Sequence, residues 1–277
     1  MYLSFARWTL ALLFALSLSH PLSYGQSALT PGSAHFAIYQ QNKSVGDSDY
    51  TVQAMPSGYS ITSHAKLNLT KFSYSFTNTQ VLDGSLNLIR DELNGVVNGS
   101  QVSFTAGSDS SGRQFQISIS ANGKQTQNTV DRHQHLVLLP DLDSAAYLLL
   151  TRVAIDNPPT SWILIPKEAG ILVPSSITPG SSARGQLNGA QIDVQHTTIG
   201  VSSENSINID LFYTSDGQML EADLPQQNFS VVRDGFKLID RPKPQAPAAQ
   251  PQSSTKPRNA PAHLAVPQGG YPQTQEQ

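Results

Sequence analysis

The chain has 277 residues, no cysteine and a formal net charge of −3. Without cysteine there is no disulfide, no thiolate metal site, no cysteine nucleophile and no lipid-modified cysteine of the bacterial lipoprotein kind. The charge is uneven: residues 26–240 hold 12 Lys and Arg against 19 Asp and Glu, and 241–277 hold 4 against 1. An acidic domain repels phosphate backbones, which excludes nucleic acid as a partner.

Residues 1–25 read as a signal peptide. Arg7 precedes an apolar run from Trp8 to Leu18, and after Pro21 the small residues Ser23 and Gly25 lead to a predicted cut ahead of Gln26. The run is about half the ~20 apolar residues that a membrane helix needs. The expectation is an exported, soluble protein, periplasmic or extracellular after cleavage, with no transmembrane segment in the mature chain.

Residues 26–240 read as one mainly β domain, a curved antiparallel sheet of half-barrel or sandwich-like form with one short helix. Apolar residues alternate at Phe36 and Ile38, at Tyr50, Val52 and Ala54, and from Tyr59 to Leu69. The pattern continues at Phe72, Tyr74 and Phe76, at Phe115, Ile117 and Ile119, and from Ile207 to Tyr213. Period-two alternation is what a sheet with one buried face requires. Asn94-Gly95, Asn122-Gly123, Asn188-Gly189 and Asp216-Gly217 tolerate the positive φ of tight hairpin turns, so neighbouring strands are expected to pair as meanders. Asn42-Lys43-Ser44, Asn68-Leu69-Thr70, Asn98-Gly99-Ser100 and Asn228-Phe229-Ser230 fit the glycosylation acceptor pattern, which matters only in a eukaryotic source.

After a strand from His135 to Leu139, the stretch Asp141 to Ala154 offers Asp143 or Ser144 as a cap followed by an apolar run, which predicts a helix of about three turns. The same run also fits a buried strand. From Ser161 to Val173 the sheet resumes. Residues 241–277, dense in Pro, Gln, Ala and Ser, lack the apolar content for a core and read as a disordered tail.

The pattern Tyr50-Thr51-Val52, then Gly58-Tyr59-Ser60-Ile61, then Asp141-Leu142-Asp143-Ser144-Ala145-Ala146-Tyr147-Leu148-Leu149 resembles an uncharacterised family of bacterial cell-envelope proteins. The resemblance spans Phe36 to about Phe236 and implies a curved half-barrel similar in shape to periplasmic lipoprotein carriers. It brings no reaction with it. The chain departs from some such carriers in lacking the lipoprotein cysteine.

Several residues carry candidate chemistry. On a strand, Asp131, His133 and His135 would face one way, and paired imidazoles with a carboxylate can hold a transition metal, with His64 or His196 as distant additions. Asp141 and Asp143 sit where carboxylates cap a helix. Asp91 with Glu92, and Glu221 with Asp223, are the pairs that a glycosidase would need. No nucleophile elbow, zinc-protease motif or phosphate loop is present, and no cofactor is implied. The aromatic residues Phe72, Tyr74, Phe76, Tyr59 and Trp162 are candidates for an apolar ligand groove, because one short helix cannot cover the whole inner face of a large sheet. The first reading is therefore a noncatalytic envelope protein that binds an apolar small molecule or an envelope protein partner. The alternatives are a secreted hydrolase using carboxylates or a His-bound metal, and a structural interaction module.

Overall fold

The structure is a computed structural model and describes residues 28–166, 170–202 and 206–241. The signal segment 1–25 and the tail beyond Arg241 lie outside the described residues. Among those residues there are seventeen strands and one helix.

The first eight strands form an uninterrupted antiparallel meander: β1 (Gly32–Gln40), β2 (Lys43–Met55), β3 (Gly58–Leu69), β4 (Phe72–Asp83), β5 (Leu88–Val97), β6 (Ser100–Ser108), β7 (Gln114–Ala121) and β8 (Lys124–Asp131). Alternation decides the faces. In β3, Ile61, Ser63, Ala65 and Leu67 are buried, while His64, Lys66 and Asn68 between them are exposed. Asn122 and Gly123, with φ of 52° and 73°, turn β7 into β8 as predicted. Asn94-Gly95 does not form a turn. It lies inside β5, where a Cβ on Gly95 would stand 2.6 Å from the Ser75 carbonyl oxygen, and the turn falls at Asn98-Gly99, with φ of 48° and 82°.

The second part of the sheet comprises β9 (Leu136–Leu138), β10 (Ser161–Ile165), β11 (Ile171–Pro179), β12 (Ala183–Leu187), β13 (Ala190–Val201), β14 (Ile207–Tyr213), β15 (Met219–Leu224), β16 (Phe229–Arg233) and β17 (Phe236–Leu238). Its strands join the meander through β1, which pairs with β2 on one side and antiparallel with β16 on the other. From β16 the order runs through β15, β14, β13, β11 and β10 to β9, and β12 bridges the near half of β13 to β17. The β9–β10 pair is parallel, so the otherwise antiparallel sheet is a mixed one. A parallel pair needs a crossover, and here the helix supplies it.

That helix, α1 (Ser144–Asp156), starts at Asp143, whose Oδ1 accepts from the Ala145 amide at 3.0 Å, and ends at Asn157 in the left-handed region. Every residue from Ser144 to Ala154 is buried, the polar Ser144, Thr151 and Arg152 included. It packs on β2, β3, β9, β13, β14 and β15. Each buried leucine from Leu148 to Leu150 contributes roughly 1.5–3 kcal/mol through burial. Its first turn is also tied to the sheet, since Ser144 N donates to Ser48 Oγ at 3.1 Å. No helix among the described residues is long and apolar enough to cross a membrane.

Candidate ligand pocket

The inner face of strands β4 to β8 forms one wall of a cavity of about 530 Å³. Phe72, Tyr74 and Phe76 line one side of it, Leu93, Val102, Phe104 and Ile119 continue across β5 to β7, and Leu139, Pro140, Asp141 and Pro166 face them. Strict alternation along β4 places the three aromatics on one face. Phe72 and Tyr74 meet edge to face at 5.8 Å between centroids, and Tyr74 and Phe76 stack at 5.7 Å. Tyr74 is buried, and its hydroxyl donates to the Asp141 carbonyl at 2.7 Å. Burial, and then the charge of Asp141, push that phenol far above its usual range, so it acts as a neutral donor. Phe72, at 37% exposure, stands at the solvent end.

The other two aromatic candidates are elsewhere. Tyr59 pairs with Leu82 at the far end of β3 and packs against the main core. Trp162, in β10, stacks on His133 at 4.1 Å between ring centroids. Neither lines the cavity, because register rather than residue type decides which aromatics face it.

The proposed metal strand is corrected by the backbone. Asp131 ends β8, residues 132 and 133 are irregular, 134 and 135 form a turn, and His135 adopts φ of 53°. The expected strand from His135 to Leu139 shortens to Leu136–Leu138. His133 and His135 therefore do not alternate on a strand, and Asp131 instead accepts from Gln114 Nε2 at 3.2 Å. His196 is remote, in β13, where it stacks on Phe212 and meets Asp210 at 3.3 Å.

The carboxylate pairs behave differently from one another. Asp91 is fully buried and Glu92 is exposed, since neighbours on a strand face opposite ways. Glu221 and Asp223, two residues apart in β15, share a face and both pair with Arg241, Glu221 at 2.5 Å. Glu221 is buried beside a second small core of Ala183, Val194, Phe212, Leu220 and Phe236. Burial, and then the Glu221 charge, raise the Asp223 carboxyl to about 7, while Arg241 pulls it down.

Sequence reasoning passed over Asn78, Gln80 and Asp91 as an inner-face set. The signal was present, because Asn78 and Gln80 keep the phase of Tyr74 and Phe76, and Asp91 keeps the phase of Leu93.

No protein-family model matches the chain, and no curated protein matches it either. Among solved structures, it is similar to a crystallised protein of YmcC-like fold from Bacteroides fragilis, at 5% identity over 76% of this chain and 97% of that one, with a TM-score of 0.26. A likeness at that level carries no argument about function.

Proposed function

We propose that the chain is exported by its amino-terminal segment and that its domain, residues 26–240, is a noncatalytic binder of a lipid-like, acyl-chain ligand. The observation that carries this reading is the apolar cavity of about 530 Å³ lined by Phe72, Tyr74 and Phe76, whose walls include no residue of α1. Its size falls within the range of small-molecule pockets, and its few polar groups suit orientation more than chemistry. Burial of an aliphatic chain is worth roughly 25 cal/mol per Å² of apolar surface. Envelope location and a kinship of shape with periplasmic lipoprotein carriers belong to the same reading.

Native mass spectrometry of protein purified from the envelope tests it. Wild type should carry an apolar adduct, and Val102→Trp, which fills the cavity from β6, should lose the adduct while its circular dichroism stays unchanged. A folded wild type that carries no adduct and takes up no added fatty acid overturns the reading. An intact mass beginning at Gln26 tests the export step separately.

A further inference from the structure

Next to the cavity, one step further along the strands, lies a set of polar side chains that apolar ligand binding does not use. Gln80 of β4 stands directly opposite Asp91 of β5, and Asn78 stands opposite Ser63 of β3. All four are buried, at 1%, 0%, 0% and 1% exposure. Asp143, at the start of α1, is also fully buried and faces them: Asn78 Nδ2 lies 3.4 Å from its Oδ2. Asn78 and Gln80 approach the Asp91 carboxyl and Ser63 approaches Asp143, but among the described residues both Asp91 oxygens, both Gln80 amide atoms, Asn78 Oδ1 and Ser63 Oγ lack a hydrogen bond of full geometry. Native proteins pair nearly all of their buried polar atoms, so such a set calls for an explanation.

Two buried carboxyl groups side by side cannot both stay ionised without compensation, which either a proton or a cation supplies. Among the described residues no Lys or Arg forms an ion pair with either Asp91 or Asp143. Buried charges are paired or coordinate metals. The unpaired atoms include a carboxylate, amide carbonyls and a hydroxyl, the hard oxygens that calcium takes in sets of six to eight. An amide side chain presents either its oxygen or its nitrogen by a half-turn, so Asn78 can offer Oδ1 where Nδ2 now points.

We propose that Asp91, Asp143, Asn78, Gln80 and Ser63 form a calcium site that ties the start of α1 to strands β3, β4 and β5. Two carboxylates balance the charge of one divalent cation. The second Asp143 oxygen, Oδ1, remains engaged with the Ala145 amide as the helix cap. The site is separate from the apolar cavity and stands or falls independently of it.

The test uses the mature chain stripped with chelator, then titrated with calcium, magnesium or terbium. Calcium at about 10 mM should raise Tm by about 3 °C or more. Terbium emission, sensitised by the nearby Tyr74 and Tyr147, should appear in wild type. Asp91→Asn, an isosteric change, should remove both responses. Gln80→Met, which withdraws one donor and no charge, should weaken calcium binding at least about tenfold while leaving the circular dichroism intact. No Tm change with calcium, or an equal response in Asp91→Asn, overturns the site. An equal response to magnesium overturns the assignment to calcium, because magnesium demands a stricter octahedron and keeps its water.

Discussion

The hydroxyl of Tyr74 is held by the main-chain carbonyl of Asp141, so one hydrogen bond of 2.7 Å joins the aromatic row of β4 to the turn that enters α1. It fixes the distance between the two walls of the cavity. Replacing Tyr74 by Phe keeps the ring stack and removes this link. The expected cost is about 1 kcal/mol of stability, read as a drop of about 2–4 °C in Tm, together with faster loss of bound ligand. Unchanged stability and unchanged ligand release would show that the turn is held by packing alone.

Asp143→Ala removes the cap that accepts from the Ala145 amide and leaves the Asn78 amide without its acceptor. The expected loss is about 1–2 kcal/mol in urea denaturation. Asp143→Asn retains a capping oxygen and should recover most of it.

The Asp223 carboxyl makes its own contribution to the pH dependence of stability, with a definite sign. Its folded value, about 7, lies above the unfolded value, which is about 3.9. The folded state therefore binds the proton more tightly, and this contribution is complete below the unfolded value and is lost as pH rises through about 7. Asp223→Asn should flatten the decline in Tm between about pH 4 and pH 7. A steeper decline in the variant would contradict the assignment.

Gly170, at the foot of β11, has φ of 73°, and a Cβ there would lie 3.1 Å from Ile117 Cδ1 of β7. This is a close approach between the two ends of the sheet. Gly170→Ala should cost about 1–2 kcal/mol from the left-handed backbone alone. The urea midpoint should fall while the slope of the transition stays constant.

The strands and the helix were legible because their signals are local. Tyr59 to Leu69 and Phe72 to Phe76 show their period in the chain itself, and Asp143 announces the helix as a cap followed by an apolar run. The turn was misplaced at Asn94-Gly95 because that pair and Asn98-Gly99 have the same local chemistry, and only the pairing of β5 across its full length chooses between them. The left-handed backbone at His135 broke the alternation assumed for the histidines. Of the cavity, its aromatic side was readable from β4. Its opposite wall, Leu139 to Asp141 with Pro166, depends on how a distant segment folds over the sheet, and periodicity carries no such information. The burial of Asp91 was hidden by its charge, although its phase with Leu93 placed it on the inner face.

The pairing of β1 with β16 imposes an order of assembly on a chain that emerges from its amino end. Strands β1 to β8 can zip as hairpins as they appear, since each finds its partner next in line. The far edge of β1 must wait until almost the whole domain has emerged, and closing so large a loop is slow. Until then β1 offers an unpaired strand edge next to the apolar residues Phe36 and Ile38. That is the surface on which a holding chaperone acts and on which nascent chains would stick to one another.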